Sequence, residues 1–414
     1  MPSLMKRSLF YAGNLCLFLF ASTSSLYSYP YPFVPIAGNP PQYGTADGTN
    51  DTARFRGVGG IAADSAGNLY VADTGGNSIR RLAPVPSGWA VTTLAGTPPF
   101  LGYADGTNNS AKFSSPMGIV VAPTGELYVT DYSNSSIRKL TPQGTNWVVT
   151  TLALTGDPLT LPRGLARDAA GNLYVTDYFN ETVCRVAPSG TNWVVKILAG
   201  VVHGFGSVDG INSDARFAAP CGIAVDAAGN LYVGENYSAT IRKVAPRGTN
   251  WVVTTIAGAI KSLGTRDGTN DQAQFWGPEG IAVNRDGVLF VVDAPSNLIR
   301  KVTPVGSDWV VTTLGSIGNP YDVTIGERGN IYATAQYAVY SGQEYYPPLH
   351  VARSGQELVL SWPTVAQDFT LESSASLAAT ANWEAFSNSA VISGSNCMLT
   401  NEMTGPTRFY RLRR

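Results

Sequence analysis

Hydrophobic and polar positions alternate in short blocks along the chain, and the blocks recur as a unit. The unit reads Gly-Ile-Ala-x-Asp-x-x-Gly-Asn-Leu-Tyr-Val-x-Asp. Its two apolar runs, separated by a polar turn, predict two short β-strands joined by a tight connection. Copies occupy residues 60–73, 118–131, 164–177, 222–235 and 280–293, and a weaker sixth copy starts at Asp322.

Two further segments follow each complete copy. Residues 240–244, Thr-Ile-Arg-Lys-Val, alternate apolar and basic side chains and predict a half-buried third strand. Residues 251–256, Trp-Val-Val-Thr-Thr-Ile, predict an outer strand. Four such strands, called a blade below, cannot bury both faces alone, whereas six blades around one axis bury each face against a neighbour. We therefore predict an all-β fold, a six-bladed β-propeller.

These repeats resemble those of the NHL-repeat β-propeller family, in its secreted bacterial form, over residues 33–340. The resemblance implies a propeller, which we place at residues 29–345. The sixth copy lacks the basic third strand and an outer strand of its own. Residues 33–38, Phe-Val-Pro-Ile-Ala-Gly, are similar to the end of an outer strand, Thr-Ile-Ala-Gly at 255–258. We therefore expect an N-terminal strand to complete blade 6 and close the ring.

The two ends of the chain differ from the repeats. Lys6 and Arg7, an apolar run at 9–21 and small residues at 22–25 predict a signal peptide at 1–28. The protein is then secreted or periplasmic, with no stable membrane span after cleavage. Strand-like runs at 357–362, 369–372 and 408–412 predict a small C-terminal β-sandwich-like domain at 346–414.

Composition and charge exclude several functions. The 28 basic and 29 acidic residues leave a net charge of −1 without a basic stripe, so we expect no nucleic-acid partner. The two histidines, His203 and His350, cannot form a zinc site of several imidazoles. After signal cleavage Cys184, Cys221 and Cys397 remain, which allows at most one disulfide.

Blades 1, 2, 4 and 5 are entered through an inserted loop, Asp-Gly-x-Asn-x-x-Ala-x-Phe, which blades 3 and 6 lack. We expect the four loops to form two walls with a trough between them on one face. Asp47, Asn50 and Asp51 offer oxygen ligands for calcium, but such sites need six to eight oxygens, and a structural role is favoured. The loops occupy residues 47–55, 105–113, 209–217 and 267–275.

Charged residues that recur once per blade are interpreted as structural, because one reaction centre does not need several equivalent copies. Paired basic residues such as Arg138 and Lys139 are predicted at the blade surface. The recurrent carboxylates are predicted to cap turns; they are Asp73, Asp131, Asp177, Glu235 and Asp293.

Candidate binding residues lie where the repeat varies. The positions before the inner strands and the turns after the second strands should meet at the mouth of the central channel. Aromatic rings there are suited to stack on sugars or grip apolar side chains. The candidates are Tyr132, Arg163, Tyr178, Phe179, Tyr237, Glu279 and Tyr321.

Two functions are compatible with these residues. The favoured one is a non-catalytic module that binds a protein, peptide or glycan on the propeller face, without a catalytic residue or cofactor. The alternative is a divalent-cation-dependent hydrolase or lactonase, similar to the gluconolactonase-type propellers. That resemblance implies a Ca²⁺ site, for which Glu279, Asn319 and Asp322 are the available ligands. No Gly-x-Ser-x-Gly motif accompanies the histidines to suggest a serine hydrolase.

Overall fold

A computed structural model of the chain describes residues 7–12, 15–20, 31–327, 329–342, 349–354, 357–363, 370–374, 384–385, 390–393, 396–402 and 409–413. Contacts divide the chain into two units, one of them Phe33–Gln343. The all-β prediction is confirmed, since the described residues contain strands and short 3-10 turns but no α-helix. None of their helices is long and apolar enough to span a membrane.

The unit Phe33–Gln343 consists of six sheets whose four main strands run antiparallel and in the same order. The inner strands are Val58–Ala63, Pro116–Val121, Pro162–Arg167, Pro220–Val225, Pro278–Val283 and Pro320–Ile325. The second strands are Leu69–Asp73, Leu127–Asp131, Leu173–Asp177, Leu231–Glu235, Leu289–Asp293 and Ile331–Ala335. The third strands are Ser78–Val85, Ser136–Gln143, Thr182–Ser189, Thr240–Arg247, Leu298–Val305 and Ala338–Gly342. The outer strands are Gly88–Gly96, Asn146–Thr151, Asn192–Gly200, Asn250–Ala257, Asp308–Ser316 and, in blade 6, Phe33–Ala37.

Short elements complete the blades. A fifth strand lies at the outer edge of blades 1 to 5, antiparallel to the outer strand except in blade 3, where it is parallel. These edge strands are Gly48–Thr49, Gly106–Thr107, Leu154–Gly156, Gly210–Ile211 and Gly268–Thr269. The 3-10 turns are Asn50–Thr52, Thr74–Gly76, Asn108–Ser110, Tyr132–Asn134, Asn212–Asp214, Asn270–Gln272 and Ala294–Ser296.

The inner strands contact one another in a closed cycle, from blade 1 through blade 6 and back to blade 1. The repeated glycine of these strands makes this approach possible. A Cβ atom on Gly164 would lie 2.2 Å from the carbonyl oxygen of Cys221 in the next blade, and one on Gly222 would lie 2.2 Å from that of Glu279. Only glycine lets the backbones come this close. The hub of the ring therefore explains why the glycine recurs.

The repeated aromatic residues join neighbouring blades. Tyr70 in the second strand of blade 1 packs its ring edgewise on Trp147 in the outer strand of blade 2, with centroids 6.2 Å apart. Tyr128 and Trp193 form the same contact between blades 2 and 3 at 5.6 Å. Each interface also buries the aliphatic residues of both sheets. Blades are thus held face to face by the apolar half of the repeat.

The prediction that the basic third-strand residues lie at the surface is wrong for the first residue of each pair. The guanidinium groups of four such arginines are fully buried between the inserted loop and the blade. In blade 2, Arg138 forms ion pairs with Asp131 at 2.7 Å and Asp105 at 2.8 Å. Its guanidinium carbon also lies 5.0 Å from the ring centroid of Phe113. The equivalent buried arginines are Arg80, Arg242 and Arg300.

The recurrent carboxylates therefore do more than cap turns. Asp131 also accepts a hydrogen bond from the amide of Ser114, which fixes the end of the inserted loop. The loop aspartate Asp105 accepts from the amide and hydroxyl of Thr151 in the outer strand. Blade 3 has no inserted loop and carries the buried thiol of Cys184 in place of the arginine. The ion-pair cluster and the loop are present or absent together.

The other unit comprises Met1–Pro32 and Glu344–Arg414. Strands Arg7–Ala12 and Leu15–Phe20 pair with each other. The C-terminal strands form two sheets that share a core including Leu360, Trp362, Leu371 and Tyr410. The boundaries that we place at 28 and 345 lie outside the described residues. The C-terminal strands are His350–Ser354, Glu357–Pro363, Thr370–Ser374, Glu384–Ala385, Val391–Ser393, Asn396–Glu402 and Phe409–Arg413.

The buried arginine cluster yields a stability prediction. Arg138→Gln should lower the free energy of unfolding by about 3–5 kcal/mol, because it leaves the buried carboxylate of Asp131 without its cation. Lys139→Gln is the matched control, since the neighbouring Lys139 forms only a partly exposed ion pair with Glu126 and should cost at most about 1 kcal/mol. Urea denaturation measures both variants. Equal losses for the two would contradict the structural role of the buried cation.

Candidate functional site

The Asp-Gly motif of the inserted loops does not itself form the walls that we expected from the sequence. Each Asp-Gly segment pairs with the outer strand of its own blade; Gly106, for example, pairs with Val149. The Ala and Phe of the motif are buried beneath it, as Ala111 and Phe113 are. Asn108 accepts a hydrogen bond from the amide of Trp147. The Asp-Gly motif, which recurs in all four loops, therefore widens the blade.

A cavity of about 580 Å³ follows the axis of the ring and is lined by all six inner strands. The residues that precede the hub glycines line it together with the aspartate of blade 6. Small or apolar residues form the side of blades 1 and 2, and polar residues form the side of blades 3 to 6. The lining residues at this level are Gly59, Met117, Arg163, Cys221, Glu279 and Tyr321.

Arg163 is the centre of the polar side. Its guanidinium forms an ion pair with Glu279 and also donates a hydrogen bond to the sulfur of Cys221 at 2.7 Å. The guanidinium carbon lies 5.3 Å from the ring centroid of Tyr178, and Tyr178 is 6.4 Å from Tyr132. Four blades thus contribute side chains to one cluster. Both charged groups are mostly buried, with 21% of Arg163 and 14% of Glu279 exposed.

Glu279 is poorly placed to bind a cation. One carboxylate oxygen is taken by Arg163, and the other accepts a hydrogen bond from the side-chain amide of Asn236 at 2.8 Å. Asn319 is exposed at a blade tip, where its amide donates to Gln336 at 3.2 Å, and it does not line the cavity. The structure therefore does not assemble Glu279, Asn319 and Asp322 as one ligand set. The described residues contain no group of three or more His, Cys, Asp or Glu that could hold a metal ion.

Asp322 occupies the hub position that is glycine in the other blades. Its carboxylate accepts hydrogen bonds from the amide of Ile61 in blade 1 at 3.0 Å and from the amide of Val323 at 2.9 Å. It thereby links the last blade to the first. Burial, and to a smaller extent the nearby carboxylate of Glu279, raises the pKa of Asp322 to about 7 despite the two amide donors. Burial also raises the pKa of Glu279.

The remaining candidates lie around this cluster rather than within it. Tyr321 lines the cavity and is partly exposed. Phe179 packs edgewise on His203 with centroids 5.2 Å apart. Tyr237 packs on Phe205 at 4.9 Å. The structure thus brings Tyr132, Arg163, Tyr178 and Glu279 together and leaves Phe179 and Tyr237 in two separate aromatic pairs.

Sequence reasoning missed the loop partners of these rings. His203, Phe205 and Lys261 lie in the loop segments just before the Asp-Gly motif. One signal was available, because the residue four positions before the motif aspartate is apolar in all four loops. All four side chains are exposed, and they are Tyr43, Leu101, Phe205 and Leu263.

Comparisons with known proteins concern the repeats. A family model of the teneurin NHL domain matches residues 99–269. SUPPRESSOR OF QUENCHING 1, a chloroplastic protein of Arabidopsis thaliana, is 33% identical over 111 residues, which are 27% of this chain and 10% of that protein. Human NHL repeat-containing protein 2 is 31% identical over 98 residues, 23% of this chain and 13% of that protein. The matches thus span only a small part of these relatives.

Solved structures share the fold of the repeats. An auxiliary nutrient binding protein from Bacteroides ovatus superposes with a TM-score of 0.56 and 16% sequence identity. The match covers 76% of this chain and 78% of the Bacteroides protein. At this identity the similarity concerns the fold alone.

The raised pKa of Asp322 predicts a pH-dependent stability. An unfolded Asp side chain loses its proton near pH 4, whereas in the folded ring the proton is retained up to about pH 7. The free energy of unfolding should therefore fall as the pH rises from about 4 to about 7. Asp322→Asn should remove this part of the fall, because its amide does not ionise.

Urea unfolding at about pH 4.5, 6 and 8 tests this dependence. The difference in stability between the Asn variant and the native protein should grow with pH. Asp286→Asn, at an exposed carboxylate in a turn between the inner and second strands of blade 5, is the control and should leave the pH profile unchanged. A difference between Asp322→Asn and the native protein that is independent of pH would show that Asp322 does not titrate in this range.

Proposed function

Because the chain is an NHL-repeat β-propeller, we propose that it acts as an exported, non-catalytic binding module that holds a glycan, peptide or protein segment at the channel mouth. The main support for this proposal is the cluster of Arg163, Glu279, Tyr178 and Tyr132, which lies at the rim of a 580 Å³ cavity. Concave sites with a few convergent polar groups are the usual ligand sites of proteins.

The chemistry of the cluster supports binding rather than catalysis. Arg163 and Glu279 neutralise each other and are held in place by Cys221, Asn236 and Tyr178. Such a pair is preorganised to exchange hydrogen bonds with a polar ligand without a large change of conformation. Burial raises the pKa of the Cys221 thiol, so that the nucleophilic thiolate is disfavoured. These contacts provide neither an activated nucleophile nor a free general base.

The fold neighbours are consistent with this role. One of them is named an auxiliary nutrient binding protein. A nutrient-binding role outside the cytoplasm also suits the predicted signal peptide at 1–28. We therefore expect the ligand to be an extracellular or periplasmic molecule.

A binding screen tests the proposal. A glycan array and an extended-peptide array are probed with the full mature protein, and the affinity of the best ligand is then measured by calorimetry. Tyr178→Ala should weaken that affinity by about tenfold or more, because it removes a ring at the channel mouth. Arg163→Gln should weaken it as well.

The control substitutes an exposed apolar residue away from the cavity. Val305→Ser, at the end of the third strand of blade 5, should leave the affinity unchanged. Equal binding by Tyr178→Ala, Arg163→Gln and the native protein would contradict the proposed site. Calcium-dependent hydrolysis of a lactone that is lost in Glu279→Gln would instead establish the alternative enzymatic function.

A further inference from the structure

A row of aromatic and cationic side chains continues from the channel mouth onto the surface of blades 3 to 5. It consists of Phe179, His203, Phe205, Tyr237 and Lys261 and is called the cationic strip below. Phe179 follows Tyr178 of the mouth cluster directly in the chain, so the strip begins beside the proposed site. The residues Phe179, Phe205 and Tyr237 are 52%, 56% and 55% exposed.

The contacts within the strip are specific. Phe179 and His203 pack edge to face at 5.2 Å, and Phe205 and Tyr237 do so at 4.9 Å. The ammonium of Lys261 lies 5.9 Å from the ring centroid of Tyr237. The turn of blade 3 thereby contacts the loop that enters blade 4, and the turn of blade 4 contacts the loop that enters blade 5. This order holds several large side chains at the surface, where isolated rings would be mobile.

The backbone at His203 and Lys261 is left-handed. His203 and Lys261 occupy equivalent places, six residues before the motif aspartate, and have φ angles of +58° and +60°. Residues with a Cβ atom adopt this left-handed conformation at a cost in free energy that glycine avoids. The equivalent places in blades 1 and 2 hold Pro41 and Pro99. The loops that enter blades 4 and 5 therefore differ at this place from the loops that enter blades 1 and 2.

The main chain of the strip offers little to a peptide. The amide of His203 donates to the carbonyl of Asn180 at 3.0 Å, and the amide of Lys261 donates to that of Ser238 at 3.1 Å. An extended peptide binds chiefly through such main-chain groups. We therefore expect the cationic strip to bind its ligand through ring faces and positive charge.

The charge of the strip points to an anion. Among the described residues, Lys261 forms no ion pair. Glu181, in the same turn as Phe179, already accepts a hydrogen bond from the amide of Ala219 at 2.7 Å. The carboxylate of Asp177, which interacts electrostatically with His203, is buried. An exposed cation next to exposed rings suits a ligand with both a carboxylate and an apolar face.

We propose that the cationic strip binds an acidic polysaccharide, with the C–H faces of its uronate rings on Phe205 and Tyr237 and its carboxylates at Lys261 and His203. This inference rests on the proposed function, because it extends the channel-mouth site along the same face. It specifies a polymer that spans several blades rather than a single small ligand.

Two matched ligands distinguish the contribution of the ligand's charge to binding from that of its sugar rings. Oligogalacturonate carries the carboxylates, and its methyl ester has the same sugar rings without the charge. Calorimetry with the full mature protein should give at least about tenfold weaker binding of the ester, and the affinity for oligogalacturonate should fall as salt is added. Equal affinity for the two ligands would overturn the inference, as would tighter binding of oligoglutamate or oligo-dT.

Three variants test which residues contact the oligogalacturonate. Lys261→Gln and Tyr237→Ala should each weaken oligogalacturonate binding by about tenfold. Lys196→Gln, at an exposed lysine on the outer strand of blade 3, should have no effect. If Tyr178→Ala abolishes binding of an arrayed ligand while Lys261→Gln changes nothing, the channel-mouth site stands and the cationic strip is refuted. If neither variant affects any ligand, the proposed function fails as well.

Discussion

A buried arginine in each of four blades is the interaction on which the outer part of the propeller depends. Its guanidinium links a carboxylate of the second strand to a carboxylate of the inserted loop, and a phenylalanine of the same loop covers it. A buried cation is tolerated only when its hydrogen bonds and charge are satisfied. The loop, the blade and the arginine are therefore mutually required, which explains why blade 3, with Cys184 in place of the arginine, also lacks the loop.

A second constraint governs the hub. Five inner strands approach one another through glycine, and the sixth carries Asp322, whose carboxylate binds an amide of blade 1. The ring is thus closed at the axis by a side chain, and at the rim by the pairing of Phe33–Ala37 with the third strand of blade 6. Both closures fall on the one joint where consecutive blades are far apart in sequence. The asymmetry also introduces an ionisable group at a position that is glycine in the other five blades.

The channel mouth is asymmetric because the residues that line it differ from one blade to the next. Blades 1 and 2 present Gly59 and Met117, whereas blades 3 and 5 present Arg163 and Glu279. Repeat positions that pack between blades tolerate little change, because every blade needs the same neighbours. Positions at the mouth do not pack between blades, so their residues are free to differ from one blade to the next. Polar and aromatic residues collect there on one side of the ring, and that is the side where we propose the ligand site.

The fold and the residues that line the channel could be predicted from the sequence, because strand periodicity, turn residues and six repeats are local features of the chain. The partners of individual side chains could not. Arg138 and Lys139 are adjacent in a strand and face opposite sides of the sheet, and the inserted loop buries the first while the second stays partly exposed. Likewise Glu279 is 116 residues from Arg163, and their ion pair exists because ring closure brings blades 3 and 5 to one axis. Contacts of this kind depend on the tertiary structure, since no short-range pattern encodes which distant charges meet.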